Sequence, residues 1–156
     1  MKGFTLIELI VYFAIAITLS TVMVTAGLHA IAEKTRLMEL DTVERSARGA
    51  LEIITREIRG AQTVVSPQAG ATSTILILTT ATGTASATFS LNNGYLQLQK
   101  ETLTPLRITN AGTAVTATEF TNLSSPNTAG TVRISFTLVN GATRKNFYAT
   151  QNIYVR

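Results

Sequence analysis

Glu8 is the side chain whose placement asks for a chemical role. Between Phe4 and Ala32 it is the only charged residue in an almost wholly apolar run. An acidic side chain at the centre of a membrane helix costs roughly 2.5 to 3.5 kcal/mol on insertion scales. Something must offset that cost: a partner charge, or a nearby interface that the carboxylate can reach. The other reactive side chains are few. His29 is the only histidine, and there is no cysteine. Beyond Gly60 the acids are Glu101 and Glu119 alone. No Ser-His-Asp or Cys-His arrangement can be assembled there. A thiolate metal site is ruled out, and histidine–carboxylate ligand clusters for zinc or iron are missing. Calcium takes about six to eight oxygens, usually with several carboxylates, and two glutamates do not supply them. Phosphate loops and dinucleotide fingerprints are absent. The expectation is a protein that is not an enzyme and uses no cofactor and no metal.

Three ordinary readings of the apolar run compete. A membrane anchor needs about 20 apolar residues, and Leu9 to Leu28 supplies 20 uncharged ones. A cleaved secretory signal has a basic start, an apolar stretch of about 7 to 15 residues and an A-x-A site. Lys2 and Ala30-Ile31-Ala32 fit that loosely, but the run is too long and contains Glu8. A buried core helix is not expected for a stretch this uniform. The anchor reading is the one that stands. His29, at its end, is expected at the membrane interface.

The elements that position these residues follow from periodicity. Phe4 to about Gly60 contains no proline and only Gly27 and Gly49 inside it, so it reads as one continuous helix. From Glu33 its character changes. Leu40, Val43, Ala47, Leu51, Ile54 and Ile58 recur at three- and four-residue steps and form one apolar stripe. Glu44 with Arg48 and Glu52 with Arg56 stand at i,i+4, worth about 0.3 kcal/mol per pair. Gly60 stops the helix, with Arg56 and Arg59 near its negative end. Pro67 and Gly70 then read as a polar loop.

The remainder is rich in threonine, valine and isoleucine and carries strand signals. Ile75 to Leu78 is one strand. Ala85–Leu91 and Tyr95–Gln99 flank Asn92-Asn93-Gly94 and form a hairpin. Thr131–Val139 and Thr143–Val155 flank Asn140-Gly141 and form a second; Asn-Gly favours a type I′ turn. Val132, Ile134, Phe136 and Leu138 alternate with Arg133, Ser135 and Thr137, so one face is dry. Pro105 and Pro126 mark edges or loops. Thr109 to Ala129 carries no clear pattern. The expected fold class is α+β, a long N-terminal helix whose second half packs on a C-terminal antiparallel β-sheet head.

The 156 residues leave roughly 96 for that head, enough for a modest core. Its bases are Lys100, Arg107, Arg133, Arg144, Lys145 and Arg156, six against two acids, a net of +4. A basic head points towards anionic partners. However, the charges are scattered along the chain and only Arg144-Lys145 are adjacent. Strong nucleic-acid binding is therefore not expected. Tyr95, Tyr148 and Tyr154 read as sheet residues rather than base-stacking platforms.

The residues Gly3-Phe4-Thr5-Leu6-Ile7-Glu8-Leu9-Ile10 resemble the class III signal of type IV pilins and type II secretion pseudopilins. Glycine, aromatic, glutamate and a long apolar run stand in register, over about the first 30 residues. Val43 to Ala61 looks like the helix end of larger minor pilins and of the J-type minor pseudopilin. The resemblance implies a leader of residues 1–3, a transmembrane and filament-core helix over 4–32, its amphipathic half over 33–60, and a β-rich head over 61–156. It implies that a prepilin peptidase cuts between Gly3 and Phe4 and methylates the new amine of Phe4. Glu8 becomes the assembly glutamate, pairing with the N-terminal ammonium of a neighbouring subunit. The implied partners are that peptidase, other pilin or pseudopilin subunits, an inner-membrane assembly platform and membrane lipid. The implied location is the inner membrane, single-pass with the head on the outer side, and then a filament in the periplasm or outside the cell. The sequence departs from the family in its short leader, an anchor without proline and the absence of a C-terminal cysteine pair. The last two features separate it from common major pilins. A type IV pilus, a secretion pseudopilus and a competence system all fit the motif. The alternative function is a membrane-anchored binding module of a competence-type pilus, whose basic head captures DNA or polysaccharide.

Overall fold

The computed structural model describes residues 5–80, 86–101, 103–124 and 130–153. One helix, α1 (Leu6–Gly60), is followed by nine strands. They are β1 (Ala61–Ser66), β2 (Thr72–Ser73), β3 (Leu76–Thr80), β4 (Ser86–Asn92), β5 (Tyr95–Lys100), β6 (Leu106–Arg107), β7 (Ala114–Asn122), β8 (Thr131–Asn140) and β9 (Thr143–Asn152). The fold class is α+β, as expected. Two compact units divide the chain, Met1–Met38 and Glu39–Arg156.

In the first unit the helix exposes apolar side chains on every side. It is long and apolar enough to cross a membrane. Its hydroxyls turn inward onto the backbone: Thr18 donates to the Ala14 carbonyl at 2.5 Å, Ser20 to Ala16 at 2.8 Å and Thr21 to Ile17 at 2.8 Å. Such back-bonding satisfies a hydroxyl without a partner chain.

In the second unit the strands form two antiparallel sheets rather than one. Their orders are β1-β3-β4-β5-β6 and β2-β7-β8-β9. Val43, Ala47, Ala50, Ile54 and Ile58 of α1 share one buried cluster with residues of both sheets, among them Leu76, Phe89, Leu96, Phe120, Ile134 and Phe136. The stripe on α1 is centred differently from its sequence reading. Ser46 and Ala50 are buried, whereas Leu51 is only half-buried at the flank. Small residues at the centre let the sheets approach the helix closely, and the larger Leu51 packs from the side.

Both hairpins are present, β4–β5 and β8–β9. In the first, Asn93 and Gly94 have φ of 50° and 75°, the sign pattern of a type I′ turn. The second differs from expectation. Asn140 pairs with Thr143, so Gly141-Ala142 is the loop. Gly141 alone has positive φ, 56°, the type II′ pattern. A Cβ on Gly141 would also lie 2.5 Å from Glu39 Oε1, so a larger residue there would displace the Glu39 carboxylate. Val132, Ile134, Phe136 and Leu138 are buried as the alternation requires.

Two segments for which the sequence gives no strand reading hold strands. Ala61–Ser66 becomes β1 directly after Gly60, ahead of Pro67. Within Thr109–Ala129, β7 forms the bridge between β2 and β8. Ala85, Pro126, Tyr154, Val155 and Arg156 lie outside the described residues.

Candidate functional site

The sequence places its candidate site at the start of the first unit. Gly3 and Phe4, the expected cleavage and methylation positions, lie outside the described residues. Glu8 stands in the first turn of α1, its amide donating to the Thr5 carbonyl at 3.1 Å. Its carboxylate is exposed and is the one acidic group of that turn. A negative charge there complements the positive end of the helix dipole. The next turns present Leu9, Ile10, Val11 and Phe13, each more than half exposed. The apolar surface continues through Leu19, Val22, Val24, Leu28 and Ile31. This apolar stretch makes the helix a candidate membrane span. The arrangement sets one carboxylate at the start of a long apolar helix surface. His29 is exposed on the same helix.

In the second unit the site question concerns the basic residues. The structure ties three of them to fixed partners. Lys145 Nζ lies 2.5 Å from Glu44 Oε1, and Lys100 Nζ lies 2.6 Å from Glu57 Oε1. Arg107 stacks its guanidinium 3.3 Å from the Tyr95 ring centroid. It also donates to the carbonyls of Thr109, at 2.7 Å, and Asn110. The Lys145 hydrogen bond, and then its charge, hold the Glu44 carboxyl below the usual carboxylate range. Glu44 also reaches Arg48 at 3.5 Å. The expected pairs Glu44–Arg48 and Glu52–Arg56 are both formed, and Asp41–Arg45 joins them.

Counting charge by sequence segment missed the role of Glu44 and Glu57. Both lie on α1, yet they neutralise lysines of β5 and β9. Their only sequence signal is position: each stands one residue from a buried stripe residue, Val43 or Ile58, at the edge of the packed face. Among the described residues, no group of three or more histidines, aspartates and glutamates stands close enough to hold a metal ion.

No protein-family model matches this chain, and neither the curated proteins nor the solved structures contain a match to it.

Proposed function

We propose that this chain is a minor pilin or pseudopilin subunit, held in the inner membrane and assembled into a type IV pilus or a type II secretion pseudopilus. The observation that carries the reading is Glu8, a lone carboxylate in the first turn of a helix whose following turns expose apolar side chains all round. The Gly3-Phe4 pair in front of it supplies the cleavage register.

The mechanism follows from charge and burial. A prepilin peptidase cuts after Gly3 and methylates the amine of Phe4. Glu8 then lies four residues from that amine, about one helical turn. In the membrane the carboxylate stays near the cytoplasmic interface and the helix dipole. In the filament the apolar helices cover one another, and Glu8 pairs with the Phe4 ammonium of a neighbour. Removing one partner of such a pair leaves the other uncompensated, at roughly 3 to 5 kcal/mol. Glu8 therefore fixes the axial register of the incoming subunit. Nucleic acid is not among the proposed partners, because Lys100, Lys145 and Arg107 are already engaged.

Intact-mass measurement of the protein extracted from membranes tests this. The expected product lacks Met1 to Gly3 and carries one added methyl on Phe4. A mature start near Ile31 or Glu33 would mark an ordinary secretory signal and overturn the proposal.

A further inference from the structure

The outer face of the β2-β7-β8-β9 sheet carries a feature that the filament reading does not use. Along these strands Phe120, Ile134 and Phe136 point into the core. The alternate residues Glu119, Thr121, Arg133, Ser135, Tyr148 and Thr150 line an open depression of about 510 Å³. The register explains its shape. Glu119, Ser135 and Tyr148 form one cross-strand row, and Thr121, Arg133 and Thr150 form the next. Ser135, Thr121 and Thr150 contribute small hydroxyl side chains, and Glu119, Arg133 and Tyr148 contribute the larger groups: a carboxylate, a guanidinium and a phenol ring.

Three properties of these larger groups point to a ligand. Tyr148 is 68% exposed, and among the described residues no aromatic or cationic side chain stacks on it, unlike Tyr95 beneath Arg107. Among the described residues, Glu119 and Arg133 have no ion-pair partner, whereas Lys100 and Lys145 are both paired. They occupy diagonal positions on neighbouring strands, a separation of about 7 to 8 Å between Cα atoms. Diagonal neighbours are within reach of long side chains, so Glu119 and Arg133 can both address one bound group.

We propose that this depression binds a neutral pyranose unit of a polysaccharide. The exposed face of Tyr148 offers an apolar platform for the C–H face of the sugar ring. Glu119 accepts from ring hydroxyls and Arg133 donates to them, both through charge-assisted bonds. Ser135, Thr121 and Thr150 do either. The paired signs select against charged ligands. Glu119 repels phosphate and carboxylate groups, which disfavours nucleic acid and acidic polymers. Arg133 repels amines. An amphipathic ring bearing uncharged hydroxyls matches this lining. The inference stands apart from the filament reading and needs only an accessible sheet face.

The test uses the full-length chain in micelles of a detergent without a sugar headgroup. Saturation-transfer NMR with a panel of neutral gluco-, galacto- and N-acetylglucosamine oligosaccharides reads binding, and titration gives the affinity. At least one member is expected to receive saturation at its ring C–H protons. Tyr148→Ala should bind about tenfold more weakly, and Tyr148→Phe should stay within about threefold of wild type. Glu119→Gln and Arg133→Gln should each weaken binding while the near-ultraviolet spectrum of the head stays unchanged. The proposal is overturned if no panel member binds or if Tyr148→Ala binds as well as wild type. Tighter binding of heparin, duplex DNA or an extended peptide at the same residues would overturn it too.

Discussion

Ser46 is a polar residue at the centre of an apolar stripe, and its hydroxyl explains why it is tolerated there. It is 2% exposed, lies 2.9 Å from Thr113 Oγ1 and accepts from the Asn110 amide at 3.1 Å. Thr113 in turn donates to the Asn110 carbonyl at 3.1 Å. The trio fastens the turn before β7 to α1. Ser46→Ala should destabilise the protein by about 1 kcal/mol, because the Asn110 amide and the buried Thr113 hydroxyl each lose a hydrogen-bond partner. Chemical denaturation followed by near-ultraviolet circular dichroism measures it, and an unchanged midpoint would show that the turn finds another acceptor. Glu44 acts at the same scale through its charge. Its native carboxyl is held below the usual range by Lys145, so the unfolded chain takes up the proton first as pH falls. The pair's contribution is complete above the ordinary carboxylate range. It disappears as pH drops through that range towards the lowered native value. Lys145→Gln should flatten this part of the acid limb of stability against pH, and added salt should do the same. An acid limb identical in the variant and the parent would remove the pair from the account.

The helix–sheet contact is the element on which the second unit depends. Ile54 is fully buried in the shared cluster, whereas Leu51 is half-buried beside it. A carboxylate at position 54 would be buried without a partner, a cost of several kcal/mol. A carboxylate at position 51 can turn outward to water. Ile54→Asp should therefore abolish cooperative melting of the sheets, while Leu51→Asp should melt cooperatively at a lower temperature. Thermal unfolding of both variants, followed by hydrogen exchange at the amides of β4 and β8, separates them. Equal loss in the two would mean that the stripe is centred on Leu51 after all. The strands show how local signals succeed and fail. Asn93-Gly94 between alternating strands fixed one hairpin, since few sequences accept two consecutive positive φ values. β7 was not legible. Its only large apolar residues are Val115 and Phe120, and a register shift between Val115 and Ala117 breaks the alternation that would have marked it.

For the whole molecule the decisive contrast is between an apolar rod that carries one carboxylate and a β-rich unit with its own core. If Glu8 sets the subunit register, Glu8→Ala should leave membrane insertion and processing intact. Incorporation into sheared filaments should fall at least tenfold, as the loss of one buried charge partner implies. Immunoblotting of filament and membrane fractions reads the ratio. Incorporation equal to wild type would reduce Glu8 to an interfacial residue that snorkels. The basic residues illustrate the same scale from the other side. Lys100 and Lys145 are far apart in sequence, yet both end on glutamates of α1. A net charge counted along the chain therefore overstates the positive surface presented to a partner.

The sequence by itself determined the long helix, its apolar first half, Glu8 at its start, both hairpins and the buried alternation of Val132 to Leu138. These are local signals: hydrophobic period, turn chemistry and the cost of a charge in an apolar run. Only the tertiary structure decided that the strands divide into two sheets and that Ser46 and Ala50 sit under them. It also decided that α1 neutralises two lysines and that Glu119, Arg133 and Tyr148 meet on one face. Each of those depends on residues brought together across tens of positions by strand pairing. Serine, alanine, threonine and a single glutamate carry too little hydrophobic or turn preference of their own to announce such a meeting.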